Sequence, residues 1–155
     1  MIKKLCVIGA GTMGAGIAQV AVEKGVEVTM RDVEDRFVEK GLATIHTFLG
    51  KKLEKGKLSA AEHDVILRKL KGTTSIAEAA AGADMVIEAV IEDLALKQKV
   101  FSELDRLCPP EVILASNTST LSITKIASAT KHPARVLGTH FFSPVPVMRL
   151  VEVIS

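Results

Sequence analysis

The stretch Gly9-Ala10-Gly11-Thr12-Met13-Gly14 decides the expected fold of this chain, because its three glycines have the spacing of a turn that binds a diphosphate. It follows an apolar run at residues 5–8 that predicts a buried parallel strand, and it opens a helical pattern. Gly9 permits the tight turn, Gly11 lets the backbone approach the diphosphate, and Gly14 lets the helix pack on the strand. The free N–H groups at the start of the helix then face the phosphates. We therefore expect the whole motif to form a dinucleotide-binding turn.

A second apolar run, residues 27–31, follows the helix and leads to Asp32. Asp32 comes after the glycine turn at close to the interval of about 20 residues that such a site requires. A carboxylate there accepts hydrogen bonds from the ribose hydroxyls and repels a 2′-phosphate, which favours NAD over NADP. Arg31 is the opposing signal, because an arginine beside the acid binds that phosphate. The alternative role for Asp32 is to cap the next helix.

The composition excludes several other classes of function. Of 155 residues, 48% are hydrophobic and 25% are charged, which is typical of one globular domain. The net charge of +2 and the aromatic content of 3% argue against partners such as nucleic acid or an anionic membrane. Cys6 and Cys108 are expected to be buried thiols, and no cluster has the spacing of metal ligands. Since no signal peptide or membrane-spanning run is visible, we expect a cytoplasmic protein.

Strand and helix patterns alternate along the chain, which predicts a Rossmann-like, doubly wound, mainly parallel α/β sheet in one domain, residues 1–155. The predicted strands are residues 3–8, 26–31, 72–74, 84–90, 112–115, 135–140 and 150–154. The predicted helices are residues 12–24, 34–55, 60–70, 94–107 and 123–128. The helix over 94–107 has an apolar stripe of Val100, Leu104 and Leu107. The two helices over about 34–70 form a hairpin that is inserted after the second strand.

Lysines crowd the tip of this helical hairpin, namely Lys51, Lys52, Lys55 and Lys57. They indicate either a solvated face or a cradle for a phosphate-bearing ligand. At the other end of the chain, the last apolar strand stops within one residue of Ser155. That ending favours a domain of a longer protein, and the alternative is a short protein whose final strand is an edge.

His140 is the candidate general base, since it ends a predicted strand just before the proline-stiffened turn at residues 143–146. An imidazole there can take a hydroxyl proton while hydride leaves the same carbon for a nicotinamide. The alternative is a core histidine with satisfied hydrogen bonds. The other three histidines, His46, His63 and His132, are expected to be structural or exposed.

Two further side chains belong to the same hypothesis. Glu152 interrupts an otherwise apolar strand, and a buried carboxylate is costly unless it is paired. Pairing with His140 would hold the imidazole in one tautomer; an outward-facing glutamate on an edge strand is the alternative. Ser119, in a polar turn, can hydrogen-bond a substrate oxygen or cap the following helix.

Four segments together resemble a known family. They are Gly9–Gln19, Val86–Val90, Ala115–Ser119 and, most specifically, Gly138–Val153. In these segments the chain is similar to the NAD-binding domain of L-3-hydroxyacyl-CoA dehydrogenases, a family that includes the matching domain of multifunctional fatty-acid oxidation enzymes. The similarity spans nearly the whole chain.

The resemblance implies roles for individual residues. His140 is the general acid/base, Glu152 is its carboxylate partner, and Ser119 contacts substrate and cofactor. The cofactor contacts implied are Gly9, Gly11, Thr12, Met13, Gly14, Asp32, Glu92, Lys97, Asn117 and Ser143. Ser143 stands where the family has Asn, Arg149 stands where Lys is commoner, and Lys55 matches a basic residue near the coenzyme A phosphates.

The resemblance also implies a second, mostly helical domain that completes the acyl-CoA pocket and makes a homodimer. We therefore expect an NAD-dependent oxidoreductase that converts L-3-hydroxyacyl-CoA to 3-ketoacyl-CoA. As given, the chain should bind NAD but turn over poorly. The two alternatives are a dehydrogenase of a 3-hydroxy acid or sugar acid without coenzyme A, and a nucleotide-binding module without catalysis.

Overall fold

A single seven-stranded sheet forms the centre of the computed structural model, which describes residues 1–155. The strand order is β3-β2-β1-β4-β5-β6-β7. The strands are β1 Lys4–Ile8, β2 Glu27–Arg31, β3 Leu70–Thr73, β4 Met85–Glu88, β5 Ile113–Ser116, β6 Val136–Phe141 and β7 Val151–Ile154. The first six pair in parallel, and β7 pairs antiparallel with β6. The predicted doubly wound α/β fold is confirmed.

Helices cover both faces of the sheet. They are α1 Thr12–Glu23, α2 Asp35–Glu54, α3 Ala60–Arg68, α4 Ile76–Ala80, α5 Leu94–Leu107 and α6 Ile123–Ala127. Successive residues of a strand point to opposite faces, so Leu5 and Val7 join the core under α1 to α3. Cys6 and Ile8 join the core under α4 to α6. Burial on both faces explains why β1 is apolar at nearly every position.

The inserted hairpin consists of α2 and α3. Gly56, with φ +67°, reverses the chain between them, and Ser59 with Glu62 forms a capping box that starts α3. The base of α2 lies close to the glycine turn, because a Cβ on Gly41 would come within 2.8 Å of the Ala10 carbonyl oxygen. Lys52 is paired with Glu23 of α1 at 2.5 Å. These contacts fix α2 alongside α1.

The third strand differs from its predicted position. It begins at Leu70 rather than at residue 72, because α3 ends at Arg68 and Leu70 pairs with Val28. Leu70 is buried, whereas Gly72 is exposed. Burial of Leu70 against the sheet therefore overrides the helical pattern in which it was counted.

A buried carboxylate ties α5 to the start of β6. Asp105 accepts hydrogen bonds from Arg135 at 2.7 Å and from the Lys131 backbone N–H at 2.7 Å, and it contacts His132. Burial alone raises the pKa of Asp105, but these hydrogen bonds outweigh it and lower the pKa to about 2. The cluster is therefore a structural ion pair at the edge of the core opposite the glycine turn.

Asp105→Asn is expected to lower the free energy of unfolding at neutral pH by about 2 kcal/mol. The wild-type carboxyl titrates near pH 4 when unfolded and near 2 when folded, so its stabilisation is complete above about pH 4 and falls away toward about pH 2. Urea unfolding across this range measures the difference between the two proteins. A difference that stays constant down to the lowest pH would contradict the assigned role of Asp105.

Candidate functional site

The glycine turn joins β1 to α1 and leaves the backbone N–H groups of residues 11–14 free, whereas those of Gly9 and Ala10 are bonded to Arg31 and Asp32. Gly11 is the N-cap of α1 and supplies no side-chain cap, whereas Ser59, Ser75, Asp93 and Ser122 cap α3 to α6. The first N–H groups of a helix have no partner inside it. The start of α1 is therefore a set of unpaired donors with the positive end of the helix dipole behind them.

The three glycines differ in what surrounds them. A Cβ on Gly9 would lie 2.5 Å from the Ala89 carbonyl oxygen, and Gly9 also has φ +105°. A Cβ on Gly14 would lie 1.8 Å from the Gly9 carbonyl oxygen. A Cβ on Gly11 would meet nothing within 4 Å. Gly9 and Gly14 are thus required by the fold itself, while Gly11 faces open space.

Asp32 lies directly beside this turn. Its Oδ2 accepts a hydrogen bond from the Ala10 N–H at 2.7 Å, and its Oδ1 accepts one from the Val33 N–H at 2.7 Å. It does not cap α2, whose N-cap is Glu34. Arg31 is directed elsewhere, since its Nε donates to the Thr74 carbonyl at 3.0 Å. The carboxylate, rather than the guanidinium, is the charged group at the turn.

Two clefts meet at this end of the sheet. The first has a volume of about 300 Å³ and runs from Gly11 and Asp32 along α2 to Phe48. The second contains His140, Ser119 and Asn117. Met13 and Ser143 line both clefts, so the two lie side by side. The cleft at the glycine turn is therefore the immediate neighbour of the cleft that contains His140.

His140 and Glu152 face each other across the antiparallel pair β6–β7. They are register partners, and His140 Nδ1 lies 2.8 Å from Glu152 Oε2. Because a carboxylate only accepts, Nδ1 carries the proton and Nε2 is left as the basic nitrogen. Glu152 is not buried, since every residue of β7 is exposed. The pair therefore rests on strand register, not on burial of the carboxylate.

The side chains of the β5–α6 turn have separate positions. Asn117 Oδ1 accepts a hydrogen bond from the Phe141 N–H at 2.8 Å, which ties this turn to the strand that carries His140. Ser119 lines the cleft, and the cap of α6 is Ser122. Lys55 is exposed at the C-cap of α2, and it lines neither cleft. The structure thus brings Ser119 and Asn117 to His140 and leaves Lys55 at the hairpin tip.

A buried charged cluster underlies the second cleft. Lys97 is 1% exposed, and its ammonium contacts Glu88 at 2.7 Å, the Val90 carbonyl at 3.3 Å and Glu92 at 3.3 Å. Burial alone raises the pKa of Glu92, but the hydrogen bond from Thr118 and the charge of Lys97 outweigh it and lower that pKa. Glu92 is therefore ionised at neutral pH.

Sequence reasoning missed Glu88 as a site residue. It is completely buried, and its second oxygen accepts a hydrogen bond from Ser116 Oγ at 2.7 Å. The available signal was a charged residue inside an apolar strand, because such a residue needs partners from other parts of the chain. Those partners come from α5 and β5 and cannot be read from local spacing.

The residues present fit an NAD molecule. The free N–H groups of α1 suit a diphosphate, the open space at Gly11 admits its close approach, and Asp32 suits a ribose.

None of the helices has the length and apolar composition needed to cross a bilayer.

The family model described as "3-hydroxyacyl-CoA dehydrogenase, NAD binding domain" matches residues 4–155. The chain is 48% identical over 153 residues to a probable 3-hydroxybutyryl-CoA dehydrogenase of Bacillus subtilis, covering 99% of this chain and 53% of that protein. It is 41% identical over 153 residues to a glyoxysomal fatty acid beta-oxidation multifunctional protein of Brassica napus, covering 99% of this chain and 21% of that protein.

A solved structure gives the same relationship. The crystal structure of a 3-hydroxybutyryl-CoA dehydrogenase from Escherichia coli K12 matches with a TM-score of 0.96 and 44% identity, over 100% of this chain and 33% of that one. The chain therefore spans about half the length of the Bacillus relative and smaller shares of the other two proteins.

Proposed function

The chain belongs to the 3-hydroxyacyl-CoA dehydrogenase family and corresponds to its NAD-binding domain, and we propose a function on that basis. We propose that the chain binds the NAD and supplies the acid/base group for the oxidation of an L-3-hydroxyacyl-CoA to a 3-ketoacyl-CoA. The observation that carries the proposal is the His140–Glu152 contact of 2.8 Å in a cleft that shares Met13 and Ser143 with the cleft at the glycine turn. An acid/base group beside a dinucleotide site is what such a reaction requires.

In this proposal His140 removes the proton of the 3-hydroxyl group through Nε2. Glu152 holds the opposite nitrogen, Nδ1, and stabilises the imidazolium that forms. NAD, when bound, supplies the hydride acceptor. Ser119 contributes a hydroxyl in the same cleft for a substrate oxygen, and Asn117 keeps its turn attached to the backbone beside His140.

The same proposal assigns the cofactor contacts. The N–H groups of residues 11–13 bind the diphosphate and Asp32 binds the adenosine ribose, while Glu92, Lys97, Asn117 and Ser143 lie toward the nicotinamide. Ser143 replaces the family's Asn with a shorter hydroxyl. The acyl-CoA partner lies along α2, where the first cleft extends toward the lysine-rich hairpin tip that carries Lys55.

The final segment supports a further partner. Its apolar side chains are exposed, namely Val147, Met148, Leu150, Val151, Val153 and Ile154. An exposed apolar edge strand is a surface that proteins normally cover. We propose that a helical domain, as implied by the family resemblance, covers it, completes the acyl-CoA pocket and makes the homodimer.

The test of the proposed function is a comparison of substrates with the full-length protein. We expect kcat/KM for L-3-hydroxybutyryl-CoA to exceed that for free L-3-hydroxybutyrate by at least about 100-fold. The reason is that the binding energy of the coenzyme A part, which lies away from the reacting carbon, lowers the activation barrier of the reaction. NADH formation at 340 nm measures both rates. A preference for the free acid would favour a dehydrogenase without coenzyme A. Saturable NAD binding without turnover of either substrate would favour a nucleotide-binding module.

A further inference from the structure

The charged cluster of Glu88, Lys97 and Glu92 has its hydrogen bonds satisfied within the protein. The ammonium of Lys97 donates hydrogen bonds to Glu88 and to the Val90 carbonyl, and it forms an ion pair with Glu92 at 3.3 Å. What the cluster offers to a bound molecule is its charge.

That charge is a single negative unit. Two carboxylates and one ammonium leave a net charge of −1, and two of the three side chains, Glu92 and Lys97, line the cleft that holds His140. Two members of the cluster are removed from water, because Lys97 is 1% exposed and Glu88 is fully buried. A charge in such surroundings acts more strongly than one on the open surface.

The nicotinamide ring carries a positive charge when oxidised and none when reduced. We propose that Glu88, Lys97 and Glu92 form one charged element that makes this cleft bind the oxidised cofactor more tightly than the reduced one, with Glu88 as the positioning residue. The inference rests on the proposed function for the placement of the nicotinamide beside His140.

Glu88 is the positioning residue because its carboxylate joins three parts of the chain. One oxygen accepts from Lys97 and from the Val90 N–H at 2.6 Å, and the other accepts from Ser116 at 2.7 Å. Ser116 Oγ accepts in turn from the Thr118 N–H at 3.3 Å, and Thr118 donates its hydroxyl proton to Glu92. A single carboxylate thus holds the loop after β4, the buried face of α5 and the turn after β5.

The test compares dissociation constants of NAD⁺, NADH and ADP-ribose for the full-length protein. NADH fluorescence gives its own constant, and competition against it gives the other two. ADP-ribose lacks the nicotinamide, so its affinity reports the remainder of the cofactor site. A purely structural disturbance would change the NAD⁺ and NADH affinities together, whereas a change of charge beside the nicotinamide changes the ratio of NAD⁺ to NADH affinity.

Glu88→Gln removes one negative charge and keeps the shape of the side chain. We expect the ratio of NAD⁺ to NADH affinity to fall by about tenfold, since a buried unit charge is removed. Glu92→Gln, at a partly exposed position, should shift the ratio in the same direction. If Glu88→Gln does not fold, the ratio measured for Glu92→Gln tests the proposal instead. The double variant Glu88→Gln with Lys97→Met restores a net charge of −1 and should return the ratio toward that of the wild type.

Ser116→Ala is the matched control, because it removes a hydrogen bond from the same carboxylate without changing any charge. It should leave the ratio unchanged. An unchanged ratio in folded Glu88→Gln and in Glu92→Gln would overturn the inference, as would an equal shift in Ser116→Ala. Neither result bears on turnover of 3-hydroxyacyl-CoA, whose absence would overturn the proposed function and leave the measured ratio intact.

Discussion

Replacing His140 by glutamine in the full-length protein is expected to lower turnover of L-3-hydroxybutyryl-CoA by about 100-fold to 10,000-fold. Glutamine has a similar reach and can accept a hydrogen bond, but it cannot take up a proton. NAD affinity should remain within about twofold, because His140 does not line the cleft that holds Gly11 and Asp32. Steady-state rates and an NAD titration measure the two effects separately.

His46→Gln provides the matched control. His46 is exposed on α2 and lines neither cleft, so the same substitution there should leave both turnover and NAD affinity unchanged. Full activity of the His140 variant would remove the proposed base. A comparable loss in the His46 variant would show that the effect comes from the general loss of a histidine and not from the site.

Gly11→Val is expected to abolish measurable NAD binding, with affinity lowered at least about 100-fold, while the chain stays folded. The physical reason is the open space at this position, where a Cβ meets nothing within 4 Å. Gly11 has φ −69°, which valine adopts without strain. The added Cβ therefore enters the space into which a diphosphate would fit. Circular dichroism should match that of the wild type, and the free energy of unfolding in urea should fall by no more than about 1 kcal/mol, because Gly11 is the N-cap of α1 and valine is a poorer N-cap.

Gly14→Ala should behave in the opposite way. A Cβ there would lie 1.8 Å from the Gly9 carbonyl oxygen, so the turn itself must move. We expect a loss of several kcal/mol in the free energy of unfolding, which urea unfolding would measure. We assign Gly11 to ligand binding and Gly14 to the fold. That assignment would be wrong if Gly11→Val destabilised the chain as much as Gly14→Ala, or if Gly11→Val bound NAD normally.

Much of the fold follows from local patterns. The apolar run before Gly9 and the helical pattern after it predicted β1 and α1 to within a residue at each end. The helices predicted to begin at residues 60 and 94 do begin there, capped by Ser59 and Asp93. These features depend on neighbours within a few positions, so sequence spacing is sufficient to find them.

Features that depend on contacts between distant parts of the chain were harder to predict from the sequence. Leu107 was expected in the buried stripe of α5, yet it is 43% exposed, and Phe101 is fully buried instead. The helix turns its Phe101 face to the sheet, and Leu107 lies at its end beyond that contact. A periodic pattern identifies a helix better than it identifies which edge of the stripe meets the core.

The candidate site shows the same division. The proposed pairing of His140 with Glu152 came from residue types, but its geometry depends on an antiparallel register that no local pattern states. The last strand is exposed along its length, so the edge-strand alternative holds for Glu152 while its pairing with His140 is also present. Glu88 was overlooked because its partners, Lys97 and Ser116, come from other elements.

The central claim is that the open position at Gly11 marks the place where the cofactor's diphosphate binds. Calorimetric titration of NAD⁺ into the wild-type chain and into Gly11→Val tests it most directly. We expect one saturable site in the wild type and no saturable heat in the folded variant. Equal affinities in the two proteins, or a folded wild-type chain that gives no saturable heat, would contradict it.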